Sequence, residues 1–334
     1  MIDVRNVRKV YERIEKTPGL WGAVKSLFVQ RRKTFVAVEH LNFQIQQGEM
    51  VAYIGANGAG KSTTIKLLCG ILTPTEGEVL INGIDPSQKR IQNAKQIGAV
   101  FGQRTQLLWD LPVRESFELL KHIYEVEASS FGEMYDLCVH VLQLEALLNV
   151  PVRQLSLGQK MRCELAAAFL HSPSIVYLDE PTIGLDVSVK ARIRTFIREM
   201  NRVHRTTVIL TSHDMQDIEE LCQRVILIDQ GKIMYDGSID QLKKEYGQER
   251  IVEFHMESSV EWRQPERFGS FVTVKHADSE DVGHTVSVGF DPTIWSASEI
   301  ISEVLKTNKV NDLKVLEGSI ETIVRAIYER NGGG

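Results

Sequence analysis

Residues 55–62 read Gly-Ala-Asn-Gly-Ala-Gly-Lys-Ser, a GxxxxGK[ST] spacing placed directly after the apolar run MVAYI and before the helical stretch TTIKLLCGIL. A strand, a glycine-rich turn and a helix in that order suit the binding of nucleotide phosphates. Gly55, Gly58 and Gly60 permit backbone conformations and close approach that a side chain would block. The backbone N–H groups of the segment, those of Ala56, Asn57, Ala59 and Thr63 included, are expected to face phosphate oxygens with help from the helix N-terminus. Lys61 is expected to pair with the β- and γ-phosphates, and the Ser62 hydroxyl to bind Mg²⁺.

Two further segments carry hydrolytic chemistry. IVYLDE at 175–180 places Asp179 and Glu180 just past a buried apolar strand, where residues of a parallel sheet face the ligand crevice. Asp179 is suited to hold Mg²⁺ through its water shell, and Glu180 to polarise an attacking water as general base. A strand ending in Asp-Glu is a weak signal alone; the phosphate loop upstream gives it weight. Thr211-Ser212-His213-Asp214 follows another buried strand, and the His213 imidazole can hydrogen-bond a γ-phosphate and orient the water.

A second anion site is written at 155–159, Leu-Ser-Leu-Gly-Gln, ahead of a helix over Lys160–Leu170. Ser156 supplies a hydroxyl and Gly158 an unobstructed backbone at a helix N-terminus. One chain cannot easily fold both anion sites onto one nucleotide, whereas two chains head to tail can. The plainer reading, in which Ser156 only starts its helix, accounts for the serine but not for its company.

The elements that must position these residues alternate short apolar strands with helices over about the first 240 residues, an α/β pattern. Strands are expected at Met50–Ile54, Ile97–Phe101, Ile175–Leu178, Thr207–Thr211 and Arg224–Asp229, rich in Val, Ile and Leu as strands buried on both faces are. Ile193, Phe196, Ile197 and Met200 mark an amphipathic helix over Val187–Val203. After a polar helix at Ile239–Tyr246 the pattern changes. Period-2 runs (Val286, Val288, Phe290), a capping box from Ser296 to Glu299 and a helical face of Ile320, Ile323, Val324 and Ile327 predict a small separate α+β domain over 248–331. The terminal Gly332–Gly334 is expected to be disordered.

At 334 residues the chain is long for one domain, since single cores stop growing at roughly 250–300 residues. Hydrophobic content of 43% and charged content of 25% are those of a soluble globular protein. A net charge of −5 argues against a nucleic-acid binder. Cys69, Cys138, Cys163 and Cys222 lack metal-ligand spacing and read as buried apolar residues in a reducing cytosol. The charged N-terminus is unlike a signal peptide, and no run reaches the roughly 18 apolar residues of a membrane span, so a transport role requires separate membrane subunits.

Taken in order, GANGAGKS, Gln103, LSLGQ, LDE, the GLD ending at Asp186, and His213 resemble an ABC-transporter nucleotide-binding subunit over roughly residues 1–240. The resemblance implies a P-loop ABC ATPase domain, with a RecA-like core and a helical subdomain over about 104–172, followed by the small α+β domain. It implies ATP and Mg²⁺ as cofactors and a homodimer, or a pair with a closely related ATPase subunit. It also implies separate integral membrane permease subunits and a peripheral location on the cytoplasmic face of the membrane. Gln103 would contact the Mg²⁺ and sense the γ-phosphate. Ser156, Gly158 and Gln159 would reach the partner copy's nucleotide, and Asp186 would lie at the dimer interface. Leu157 stands where the family's LSGGQ has glycine, which puts the local backbone in question. The family's adenine-stacking aromatic falls on Tyr11 or Phe35, although an aromatic beside a strand is more often core.

The stretches VFGQRTQLLWDLPVRESF, PVRQLSLGQKMRCELAAAFLH and LDEPTIGLDV resemble the NatA-like group of exporter ATPases, some linked to sodium or toxic-cation efflux. A soluble ABC ATPase of translation or DNA repair and an importer ATPase are the alternatives. Thr17 to Lys33 reads as an inserted amphipathic helix with Leu20, Trp21, Val24, Leu27 and Phe28 on one face and Arg31, Arg32 and Lys33 at its end. It is similar to the gate helix of polysaccharide-exporter ATPases, with packing on its own domain the plainer reading. Leu107, Leu108 and Trp109 are candidates for a socket that receives a helix of the membrane subunit.

Overall fold

The computed structural model describes residues 1–15, 31–102, 105–246, 250–256, 262–278, 284–292 and 294–316, together with 320, 321, 323, 324 and 327. In chain order the first elements are β1 (Ile2–Glu15), β2 (Arg31–Ile45), β3 (Met50–Gly55), α1 (Lys61–Leu68), β4 (Glu76–Ile81), α2 (Arg90–Ala94) and β5 (Ile97–Phe101). Then come α3 (Val113–Ile123), α4 (Ala128–Leu142), α5 (Leu157–Phe169), β6 (Ile175–Asp179), α6 (Val187–His204), β7 (Thr207–Thr211), α7 (Met215–Leu221), β8 (Arg224–Asp229) and β9 (Lys232–Ser238). The chain divides into one unit of residues 1–236 and a second of 237–334.

The apolar runs of the first unit become a six-stranded sheet in the order β5-β6-β7-β3-β8-β9. The β5–β6, β6–β7, β7–β3 and β3–β8 pairs are all parallel. Side chains alternate across a strand, so Ile175 and Tyr177 of β6 fall on one face and Val176 and Leu178 on the other, all four buried. The first pair joins a cluster with Ile65 and Leu68 of α1 and with Val4 and Ile45 of a second sheet. That second sheet is antiparallel, ordered β2-β1-β4. Burial on both faces is why these strands lack the polar alternation of a half-exposed sheet.

Strand β2 corrects one expectation. Arg31, Arg32 and Lys33 pair with Glu15, Ile14 and Arg13 as the start of β2, and do not close a helix. The remainder of the proposed inserted helix lies outside the described residues.

Close approach between β5 and α5 depends on Gly98. A Cβ there would lie 2.2 Å from the backbone oxygen of Ala168, so only glycine lets the helix settle on the strand. Aromatic packing joins the same helix to α6, with Phe169 meeting Phe196 edge-on at 5.1 Å.

The second unit contains α8 (Ile239–Tyr246), β10 (Arg250–Met256), β11 (Val272–Asp278), β12 (His284–Phe290), α9 (Ala297–Thr307) and β13 (Val310–Leu316). Its antiparallel sheet runs β11-β12-β10-β13. Val252, Phe254, Val286, Val288 and Phe290 share a core with Ile300 and Val304 of α9, whose N-terminus carries the Ser296–Glu299 capping box. Ile320, Ile323, Val324 and Ile327 are helical and buried.

Replacing Gly98 with Ala is expected to destabilise the first unit by about 1–3 kcal/mol through overpacking, read as a Tm lowered by about 2–4 °C per kcal/mol in thermal unfolding.

Candidate active site

The phosphate loop leaves the carboxyl end of β3 and enters α1 at Lys61. Gly60 has φ 107°, and a Cβ on it would sit 2.5 Å from the Ala37 oxygen, so glycine is required twice over. Gly58 has φ 85° with open space where a Cβ would point. Gly60 caps α1 without a side-chain hydrogen bond, which leaves the first-turn N–H groups available to an anion. Lys61 is largely buried, and its ammonium donates to the backbone oxygens of Gly55 at 2.6 Å and Ala56 at 3.1 Å. Burial pulls its pKa below the usual lysine range, against the opposing charges of Glu180 and Asp179.

Strand order brings the other chemistry alongside. β6, β7 and β3 are neighbours, so the loops after all three open at one edge of the sheet. Asp179 lies in register with Thr211. The Thr211 hydroxyl donates to Asp179 Oδ1 at 2.6 Å, and the Ser62 hydroxyl lies 3.4 Å from Asp179 Oδ2. Glu180 has φ 55°, a left-handed backbone that costs a non-glycine residue about 1–3 kcal/mol and persists only when its surroundings hold it. Its N–H donates to the Thr211 backbone oxygen at 3.0 Å and hydroxyl at 3.1 Å. His213 Nε2 lies 2.9 Å from Glu180 Oε1, and both side chains reach solvent. A cleft of ≈ 390 Å³ runs between Ser62, Lys66, Phe101, Gly102, Asp179 and Glu180. Gln103 lies outside the described residues.

Elsewhere the expected site residues are arranged as follows. Ser156 is the N-cap of α5: its hydroxyl accepts from Gln159 N at 3.3 Å, while Gln159 Oε1 accepts from Ser156 N at 2.9 Å. Leu157 occupies the first helical position with its side chain exposed, so the helix accommodates it where the resemblance expected glycine. Its Cδ2 rests over Gly184, 3.3 Å from where a Cβ would stand. Asp186 caps α6, accepting from Val189 N at 2.9 Å and from the Ser188 hydroxyl at 2.7 Å, bonds that hold its carboxyl below the usual range. Tyr11 and Phe35 face one another across β1 and β2 at 37% and 59% exposure, so neither is a core residue. Leu107 is buried, whereas Leu108 and Trp109 are exposed, which removes Leu107 from any surface socket.

The profile described as ABC transporter matches residues 38–183. The methionine import ATP-binding protein MetN of Halalkalibacterium halodurans is 30% identical over 314 residues, covering 91% of this chain and 88% of that protein. The chain belongs to the ABC transporter family of ATP-binding proteins. The ABC transporter ATP-binding protein NatA of Bacillus subtilis is 29% identical over 215 residues, covering 64% of the chain and 87% of NatA. The probable multidrug ABC transporter ATP-binding protein YbhF of Escherichia coli is 32% identical over 230 residues, but the chain spans only 39% of YbhF's length. The dimeric post-hydrolysis structure of an ATP-binding cassette with ADP and Pi superposes with a TM-score of 0.59, at 27% identity, over 72% of this chain and 99% of that one. The first unit is thus an ABC ATPase domain, a nucleotide-binding fold that binds and hydrolyses ATP.

The motifs alone missed two supports of this ABC site. Thr211 was visible only as the end of a buried strand ahead of His213, yet its hydroxyl serves Asp179 and its oxygens serve Glu180 N. Glu164 of α5 is buried, accepting from the Thr105 hydroxyl and, at 3.2 Å, from Gln106 N. It ties the segment just after Gln103 to the helix that Ser156 caps. Burial is the largest influence on Glu164 and raises its pKa, against these hydrogen bonds. A carboxylate within an apolar helix face, CELAAAF, was the available signal.

Thr211→Val keeps the shape of β7 and removes the hydroxyl. It is expected to cost about 0.5–1.5 kcal/mol in thermal unfolding and to weaken Mg-ATP binding more than Mg-free ATP binding in titration calorimetry.

Proposed function

We propose that this chain is the ATP-hydrolysing subunit of an ABC exporter, acting as two copies that enclose two Mg-ATP at their interface. The observation that carries the hydrolytic part is the approach of His213 to Glu180, 2.9 Å apart, at the ends of β7 and β6, which lie next to and next but one to the phosphate loop's own strand. In this reading Lys61 exchanges the Gly55 and Ala56 oxygens for β- and γ-phosphate oxygens. Glu180 accepts a proton from the attacking water, and His213 hydrogen-bonds the γ-phosphate. The Ser62 hydroxyl and the Asp179 carboxylate are hard oxygen donors set close together, as Mg²⁺ takes them beside phosphate oxygens and waters, so the residues fit the ion. Bound there with Gln103, Mg²⁺ would neutralise phosphate charge. Tyr11 and Phe35, on the strands beside Ala37 and the loop, are the surface for the adenine ring.

The second half of the site comes from the other copy. Ser156 still has its O–H to donate, Gly158 leaves the α5 N-terminus open, and Gln159 retains its NH₂ group. Around them Leu157, Ile183 and Val187 are exposed, the last at 82%, as apolar side chains are where another surface covers them. The dimeric cassette that superposes on this chain supports the same arrangement. Asp186, on the segment between Ile183 and Val187, would then link the two sites.

Residues 1–240 form the nucleotide-binding domain in this reading, with the helical subdomain at about 104–172 and an accessory domain at 248–331 that serves dimer contact or regulation. Among the described residues no helix is long and apolar enough to cross a membrane. In the proposed complex, permease subunits of separate chains carry the solute, docked near Leu108 and Trp109, with this subunit on the cytoplasmic face. Export is favoured by the NatA-like stretches around Gln103, Ser156 and Asp186. Import is the second reading, because the match to MetN runs through 91% of the chain.

Glu180→Gln is expected to lower ATP turnover by about 10²–10⁴-fold while nucleotide binding persists and an ATP-dependent dimer accumulates on size exclusion; retained turnover moves the base elsewhere. Lys61→Ala and Gly158→Asp copies, each inactive alone, are expected to regain activity when mixed, because the hetero-pair rebuilds one complete site. Absence of that recovery, or full-speed hydrolysis by a monomer with Ser156 and Gly158 altered, removes the shared site. In inside-out vesicles carrying the membrane subunits, ATP is expected to drive labelled solute inward; ATP-driven loss of preloaded solute instead indicates import.

A further inference from the structure

Beyond the residues that face the cleft lies a buried carboxylate that touches both loops of the hydrolytic pair. Asp217 of α7 is fully buried, and Arg194 of α6, 4% exposed, donates from Nε to its Oδ1 at 2.6 Å. Its Oδ2 receives the Thr182 hydroxyl and, at 3.2 Å, the Ser212 hydroxyl. Thr182 lies two residues beyond Glu180, and Ser212 immediately precedes His213. One oxygen atom therefore fixes the distance between the two loops that hold Glu180 and His213. The Ser212 hydroxyl also accepts from Asp214 N at 3.0 Å, and Asp214 is paired with Lys190 at 2.6 Å, so the histidine's loop is held on both sides. Arg194 is held in turn by Glu220 at 2.8 Å.

We propose that Asp217, oriented by Arg194, is a positioning residue for ATP hydrolysis that sets the spacing of Glu180 and His213 through Thr182 and Ser212. A buried ion pair is a poor source of stability, because desolvation cancels much of its attraction and an apolar pair of equal volume does as well. What it supplies is direction: two hydroxyls can donate to one carboxylate oxygen only if their loops stand in one arrangement. The backbone of Glu180 requires such restraint. Its left-handed φ of 55° is held from behind by Thr211 and from ahead by Thr182. The proposal rests on the reading that Glu180 and His213 act on water and γ-phosphate.

The test uses the full-length chain and substitutions that spare the Arg194–Asp217 pair. Thr182→Val and Ser212→Ala are each expected to lower kcat by about 10- to 100-fold, the effect of a small misplacement of reacting groups, with KM for Mg-ATP and affinity for a fluorescent ATP analogue within about twofold. Thr182→Ser, which restores the hydroxyl, is expected to restore kcat. On a Glu180→Gln background Thr182→Val is expected to add no further loss, since groups acting as a unit are not additive. Unchanged kcat with a lowered Tm, or equal losses of binding and turnover, makes Asp217 a structural staple and overturns the proposal. If Glu180→Gln alone leaves turnover intact, it is the assignment of the base that fails; if it abolishes turnover while Thr182→Val does not reduce kcat, only the positioning role fails.

Discussion

Asp179 stands where three loops of the first unit meet. One of its oxygens receives the Thr211 hydroxyl and the other faces Ser62, so this single carboxylate registers β6 against β7 and both against the phosphate loop. That arrangement is possible because β6, β7 and β3 are adjacent and parallel, which delivers three carboxyl ends to one edge of the sheet. Any antiparallel neighbour among them would send one group to the opposite edge. The hydrophobic faces of the sheet, buried on both sides, make that strand order rigid enough to carry chemistry at the distances seen.

Around this point the structure spends polar groups where an apolar core would have served stability as well. Asp217, Arg194, Thr182 and Ser212 are all buried, and the last three each donate to Asp217, Thr182 and Ser212 from positions close to Glu180 and His213 in sequence. Glu164 likewise lies within the apolar face of α5 and takes the backbone of Gln106. Groups of this kind cost desolvation and return orientation. The first set braces the loops that carry Glu180 and His213. Glu164 connects the segment after Gln103 to the helix whose N-terminus faces outward. In each case a helix is tied to a loop of the cleft, so movement of one element is felt by the other.

The outward-facing half has a different character. Ser156 and Gln159 satisfy one another in a capping box, and Leu157 lies over Gly184, so the α5 N-terminus is a finished structure within one chain. Its remaining hydrogen-bonding capacity points away from its own bonds, and exposed Leu157, Ile183 and Val187 surround it.

Much of this was legible in the residue order. The strand–loop–helix context of residues 55–62 needs only local chemistry: glycine where φ is positive, lysine at the helix start, apolar residues on both sides of a strand. The strands at 97–101, 207–211 and 224–229 and the helices at 187–204 and 239–246 follow from periodicity, because burial imposes it. The Ser296 capping box was readable for the same reason, being confined to four residues. What depended on neighbours distant in sequence was not readable. Basic residues at 31–33 suit a helix end by local rules, yet pairing with residues 13–15 makes them strand. Tyr11 and Phe35 were alternatives for an adenine-stacking aromatic, with core the plainer reading, and only the register of β1 against β2 gives both an exposed position. Thr211, Glu164 and Asp217 carry no motif, since their roles arise from contacts across strands and helices. Sequence by itself determined which chemical groups are present and the local backbone that each requires. The tertiary structure alone decided which buried polar groups hold them, because a hydrogen bond between residues far apart in the chain exists only once the sheet has set its strand order.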